Sequence, residues 1–221
     1  MDVYGFELRE GQGTMTQLGL VDIGHEGPTQ LEGIIIGWNV LPSENGDSRT
    51  CFFTMWTNDG FITTGCLNMK CPGFQPEKGA AIAPGGVIEH VSDPGGAKQN
   101  LTLKLVKNGT SGDWLVHYGL NRDPELIGRF PRSLFSRGFA EKASAVRLGG
   151  HATDQGPMGS GYLPTEGGKG AASISNIQLI DQQGHASLVM KDLPKLETDR
   201  NAYVVSPIVN GKFFLGGPQH S

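Results

Sequence analysis

The sequence reads as an all-β domain of the secreted kind. Three observations carry that reading. Glycine accounts for 34 of 221 residues, about twice ordinary usage, and the glycines stand between short apolar runs, as turns do between strands. Several of those runs alternate apolar and polar residues, the period of a half-buried strand. Cys66 and Cys71 are separated by four residues and followed by Pro72-Gly73, a spacing that can close a tight disulfide loop in an oxidising compartment.

Taken in order, Met15 to Ile23 opens the strands. Ile34, Ile35 and Ile36 are β-branched and sit between Gly33 and Gly37, and Cys51 to Thr57 alternates aromatic and small residues. Leu101, Leu103 and Leu105 alternate with Thr102 and Lys104, and Trp114, Val116 and Tyr118 repeat the pattern. Ile174 to Ile180 and Lys212 to Leu215 supply late strands. Asn45-Gly46-Asp47, Asn58-Asp59-Gly60, Pro94-Gly95-Gly96 and Asn108-Gly109 read as turns. One short helix is expected after Pro131, with Leu134, Phe135, Phe139 and Ala143 on one face, although Gly138 weakens it by about 1 kcal/mol. Gly149 to Gly170 is expected to be a long loop, opened by His151. No repeat or linker divides the chain, so residues 1–221 are expected to form one domain.

Composition excludes several functions. The net charge is −4 and no run of Lys or Arg builds a basic patch, which argues against nucleic-acid binding. No apolar run is long enough to span a membrane as a helix. No signal-like segment opens the sequence, so a secretory signal would have to lie outside it. Asn100-Leu-Thr102 and Asn108-Gly-Thr110 are glycosylation sequons. Cys66 and Cys71 could ligate zinc only with further ligands, and no second Cys or His pair stands at metal spacing. No metal or other cofactor is called for. Cys51, in an apolar strand, is expected to be a buried free thiol. Of the six histidines, His25, His90, His117, His151, His185 and His220, only His151 stands out, because it follows Gly149-Gly150. There is no G-x-S-x-G nucleophile elbow.

A more specific pattern begins at Gly37-Trp38-Asn39-Val40-Leu41-Pro42. It continues through Phe52-Phe53-Thr54-Met55-Trp56-Thr57-Asn58-Asp59-Gly60 and Thr63-Thr64-Gly65-Cys66-Leu67-Asn68-Met69-Lys70-Cys71-Pro72-Gly73-Phe74. Further along stand Gly128-Arg129-Phe130-Pro131-Arg132-Ser133-Leu134-Phe135, then Met158-Gly159-Ser160-Gly161-Tyr162 with Gly167 to Ala171, and finally Phe213-Phe214-Leu215-Gly216-Gly217-Pro218. Together these resemble the neprosin domain family, widespread in plants, in the family's own order. The resemblance implies a β-sandwich of two curved antiparallel sheets and a secreted protein. It also implies a glutamic endopeptidase that cleaves after proline in acid, with one glutamate as base on water and its partner as acid and oxyanion stabiliser.

The departures fall on that pair. One family glutamate lies two residues before the Gly-Trp pair, where this chain has Ile35. The other follows a Trp-Gly-Gly triplet, where this chain reads Leu148-Gly149-Gly150-His151. Neither catalytic position holds a carboxylate. Glu32 is a rescue candidate, but three residues from Ile35 it faces the other side of a regular strand. Only a bulge at Gly33 would turn it inward; otherwise it is expected to be a solvated turn residue. The family's second cysteine pair is also missing: Ala202 precedes Tyr203, and the chain ends Gln219-His220-Ser221.

These substitutions favour a non-catalytic secreted protein that binds an extracellular peptide, glycan or surface target, with a defensive or insecticidal role as one setting. Trp38, Trp56 and His151 are candidate contact residues, with Trp114 behind them; the alternative for each tryptophan is the core. The competing expectation is an acid endopeptidase with a displaced dyad using Glu32 or His151.

Overall fold

The computed structural model describes residues 1–24, 30–164 and 170–218. Alternating and β-branched runs become fifteen strands: β1 (Gly13–Ile23), β2 (Leu31–Val40), β3 (Cys51–Thr57), β4 (Cys66–Leu67), β5 (Gln75–Pro76), β6 (Leu101–Lys107), β7 (Trp114–Leu120), β8 (Glu125–Phe130), β9 (Ala145–Thr153), β10 (Met158–Gly159), β11 (Ala172–Ile174), β12 (Gln178–Ile180), β13 (Ala186–Leu188), β14 (Val204–Val205) and β15 (Phe213–Gly217). Every pairing between strands is antiparallel. The chain is thus all-β, as the glycine punctuation and alternation predict.

Two sheets frame the core. One has the order β4-β3-β2-β1-β9 and the other β5-β8-β7-β6. A third joins β10, β15 and β11, with β14 beside β15, and β12–β13 form a separate hairpin. Between the two large sheets lie Ile34, Ile36, Trp38, Val40, Phe52 and Trp56 from the first, and Leu101, Trp114, Val116, Tyr118, Ile127 and Phe130 from the second. Phe52 meets Tyr118 edge to face at 5.3 Å, and Trp114 stacks on Phe139 at 4.6 Å, geometries that add to the area term.

The N-terminal residues close one side of this core. Trp38 Nε1 donates to the Asp2 carbonyl at 2.9 Å. The Asp2 carboxylate accepts from the Ser173 N–H at 2.9 Å and its hydroxyl at 3.1 Å, and pairs with Lys98 at 3.3 Å.

The helix expected after Pro131 does not form. Two short 3₁₀ turns, Arg132–Leu134 and Gly138–Ala140, take its place, with Phe135 extended at φ −117° and ψ 137° between them. The N–H groups of Ser136 and Arg137, which a helix would direct up its axis, donate to the Glu32 carboxylate. The one α-helical turn is Pro42–Asn45, with Pro at its start and Gly46 left-handed at its end, the expected asymmetry of helix ends. The expected long loop from Gly149 is also shorter: β9 runs on to Thr153, and Met158–Gly159 pairs with β15. The expected strand from Ile174 to Ile180 is split at Asn176, which has a φ of 54°. No helix among the described residues is long and apolar enough to cross a membrane. His25, His220, Gly167 and the closing Gln219-His220-Ser221 lie outside the described residues.

Candidate functional site

The register of the five-stranded sheet sorts its side chains onto two faces. Residues directly opposite across an antiparallel pair share a face, as do residues two apart along a strand. Ile35 lies opposite Gly19 and Met55, Met55 opposite Leu67, and Gly19 opposite Arg147. One row across the sheet therefore reads Leu67–Met55–Ile35–Gly19–Arg147. The next reads Phe53–Gly37–Gln17–Gly149, and the third Cys51–Asn39–Met15–His151. We call this the outer face. The other face carries Glu32, Ile34, Ile36 and Trp38 and looks into the core.

Ile35 and His151 thus stand on one face. They are two strands apart and four residues out of register, about 16 Å between Cα atoms on regular strand spacings. Gln17 occupies the diagonal between them. Ile35 is half-buried, whereas His151 and Arg147 are exposed and their side chains make no hydrogen bond or ion pair among the described residues. No Asp or Glu occupies an outer-face position on β1, β2, β3, β4 or β9.

The rescue candidate lies elsewhere. Pairing of β1 with β2 runs without a break through Val21–Gly33 to Asp22–Glu32, so the bulge that would turn Glu32 toward Ile35 does not occur. Nor is Glu32 a solvated turn residue: it is 0% exposed. Its carboxylate accepts from the Ser136 N–H at 2.8 Å, from the Arg137 N–H at 3.1 and 3.2 Å, and from the Ser136 hydroxyl at 3.4 Å. Backbone donors compensate its desolvation. Across the pair, Asp22 abuts Gly138: a Cβ there would stand 2.3 Å from the Asp22 carboxylate. Side chain and backbone together fasten the 132–140 segment to the core end of β1 and β2.

Trp38 and Trp56 must be corrected as contact residues. Trp38 is 0% exposed and Trp56 9%; both point into the core, Trp56 edge to face with Phe135 at 6.3 Å. Their even-numbered places in β2 and β3 put them opposite the outer face. Trp114 is likewise in the core, its Nε1 donating to the Phe139 carbonyl at 3.2 Å.

Cys66 and Cys71 form a disulfide, and Cys51 is a buried free thiol whose pKa is pushed up by burial. The bridge borders a shallow depression that touches the outer face. It is open to solvent, holds about 320 Å³, and is lined by Met55, Leu67, Cys66 and the 61–65 loop. Phe61 and Ile62 project there, 43% and 62% exposed. Asp59 braces this loop, accepting from Thr63 N–H at 2.8 Å, Thr64 N–H at 3.0 Å, Thr64 Oγ1 at 2.7 Å and Thr63 Oγ1. The Thr63 and Thr64 hydroxyls hold its carboxyl far below the usual carboxylate range.

Asn58-Asp59-Gly60 signals the turn, but nothing local signals that Asp59 organises the five residues after it. Arg147 was also not singled out from the sequence, since only the register aligns it with Ile35. Ala202 lies against Gly217, its carbonyl 2.0 Å from where a Cβ would stand, and the Tyr203 hydroxyl donates to the Gly156 carbonyl at 2.9 Å.

The Neprosin family model matches residues 11–218, a span that includes the outer face, the disulfide and the closing Gly-Gly-Pro run. The chain belongs to the Neprosin family.

Proposed function

We propose that this chain is a non-catalytic, secreted member of the family that works by binding an extracellular peptide or glycan on the outer face. One observation carries the reading: among the described residues no Asp or Glu occupies an outer-face position of the five strands, where the resemblance puts Ile35 and His151 at the two family carboxylate positions. General acid–base work on a bound peptide needs two proton-handling groups within reach of one water. Ile35 offers none, and His151 has no acidic partner beside it. The disulfide suits an oxidising compartment, and residues 1–221 fit one domain.

The displaced-dyad reading is less well supported. Glu32 faces the core, and its oxygens are engaged by the Ser136 and Arg137 backbone. The separating experiment is incubation with a proline-containing peptide at about pH 3 to 5, where one carboxyl of a dyad is protonated and the other is not. We expect no cleavage from the wild type. Cleavage that disappears in a folded Glu32→Gln variant would establish the displaced dyad and end the binding reading.

A further inference from the structure

Resting on the binding reading, we propose that the outer face takes an extended acidic peptide, with Arg147 as the residue that selects its carboxylate and the Met55–Leu67 depression as the seat of an apolar side chain.

The charge pattern comes first. On the outer-face positions of the five strands, Arg147 and His151 are the ionisable side chains, apart from the buried Cys51 thiol. Of the two, Arg147 carries a fixed charge and lies in the same row as Ile35. It is exposed and has no carboxylate partner among the described residues. Most other arginines here do have one: Arg9 with Asp154, Arg49 with Asp47, Arg122 with Glu125, Arg129 with Asp113, Arg132 with Glu141 and Arg200 with Glu197. A carboxylate on a ligand would meet a guanidinium fork and no competing acid.

Shape points to a chain rather than a compact ligand. The row from Leu67 through Met55 and Ile35 to Arg147 is accessible, with Arg147 exposed and Met55, Ile35 and Leu67 half-buried, whereas Phe53, Asn39 and Cys51 in the two rows beyond it are buried; the depression lies at the β4 edge while Arg147 lies on β9 at the other. Met55 and Arg147 are three strands apart, about 14 Å, the reach of an extended peptide of about four residues. Between them the row is floored by half-buried Ile35 and by Gly19, and in the next row a Cβ on Gly149 would meet nothing within 4 Å. Small-molecule sites are enclosed pockets that bury most of the ligand, which this face is not. Phe61 and Ile62, held out by the Asp59 brace, supply the apolar contact at the far end.

The test is an array of short random peptides probed with the folded full chain at neutral pH and low salt. The bound set is expected to be enriched in Asp and Glu about three- to fivefold, the scale of one exposed ion pair. Arg147→Gln should abolish that enrichment, and Arg147→Glu should reverse it toward Lys and Arg. Ile62→Ser should weaken binding to acidic and neutral peptides alike. Acid enrichment that survives Arg147→Gln, or wild-type binding with no acid enrichment, would overturn the role of Arg147 while leaving the binding reading standing. A blank peptide array with signal on a glycan array would overturn the peptide ligand. Failure of the binding reading itself shows separately, as peptide cleavage in acid.

Discussion

The two faces of the five-stranded sheet differ sharply in chemistry. The core face keeps a dense set of anchors: Trp38 bonded to Asp2, Trp56 against Phe135, and a buried Glu32 holding the 132–140 segment through backbone N–H groups. The outer face, one residue out of phase along the same strands, has no Asp or Glu at its described strand positions and presents Ile35, Gln17, Arg147 and His151. A strand's alternation lets selection act on one face almost independently of the other.

That contrast can be tested by substituting each face in turn. The largest effect should come from the core face: Trp38→Ala is expected to cost about 3–5 kcal/mol, read from the denaturation midpoint at unchanged slope. Ile35→Ala, its outer-face neighbour in β2, should cost about 1 kcal/mol, since a half-buried side chain forfeits little. Equal losses at the two positions would erase the distinction.

Glu32→Ala should come next. It strands two backbone N–H groups that the carboxylate now satisfies, for about 1–3 kcal/mol, and should accelerate hydrogen exchange at Ser136 to Ala140. Unchanged exchange there would contradict its role as an anchor. Replacing Cys66 and Cys71 together by Ser should cost about 2 kcal/mol, as expected for so short a loop. Arg147→Gln should leave stability within about 0.5 kcal/mol and change only ligand preference.

The smallest effect concerns pH. The folded Asp59 carboxyl titrates well below its unfolded value, so its stabilisation is present above an unfolded value of about 4 and is lost as pH falls toward the folded value. The stability gap between the wild type and Asp59→Asn should therefore be constant from neutrality to about pH 4 and close only below it. A gap that closed near neutrality would show that the Thr63 and Thr64 hydrogen bonds do not hold this carboxylate.

Much of the fold was legible where local pattern suffices. The strand expected from Cys51 to Thr57 coincides with β3, the run expected from Met15 to Ile23 lies within β1, and β6 follows its alternation. What failed depended on distant partners. The helix after Pro131 has a helical apolar pattern, but Glu32, about a hundred residues earlier, takes the N–H groups it would need. Glu32 itself, beside a glycine at a strand start, reads as a surface residue because its compensating donors are equally far away in sequence. Trp38 and Trp56 could not be assigned to core or contact until the register was known. The assignment of Ile35 and His151 to the family's two carboxylate positions, by contrast, comes from the motifs alone, through the flanking Gly-Trp and Gly-Gly residues.

The account rests on an outer face that binds but does not cut. The most direct test is a mass-spectrometric search for fragments after prolonged incubation of the folded chain with proline-containing peptides at about pH 3 to 5. The account predicts intact peptide with the wild type and with Glu32→Gln alike. Cleavage after proline by the wild type, lost in Glu32→Gln while the fold is retained, would contradict it.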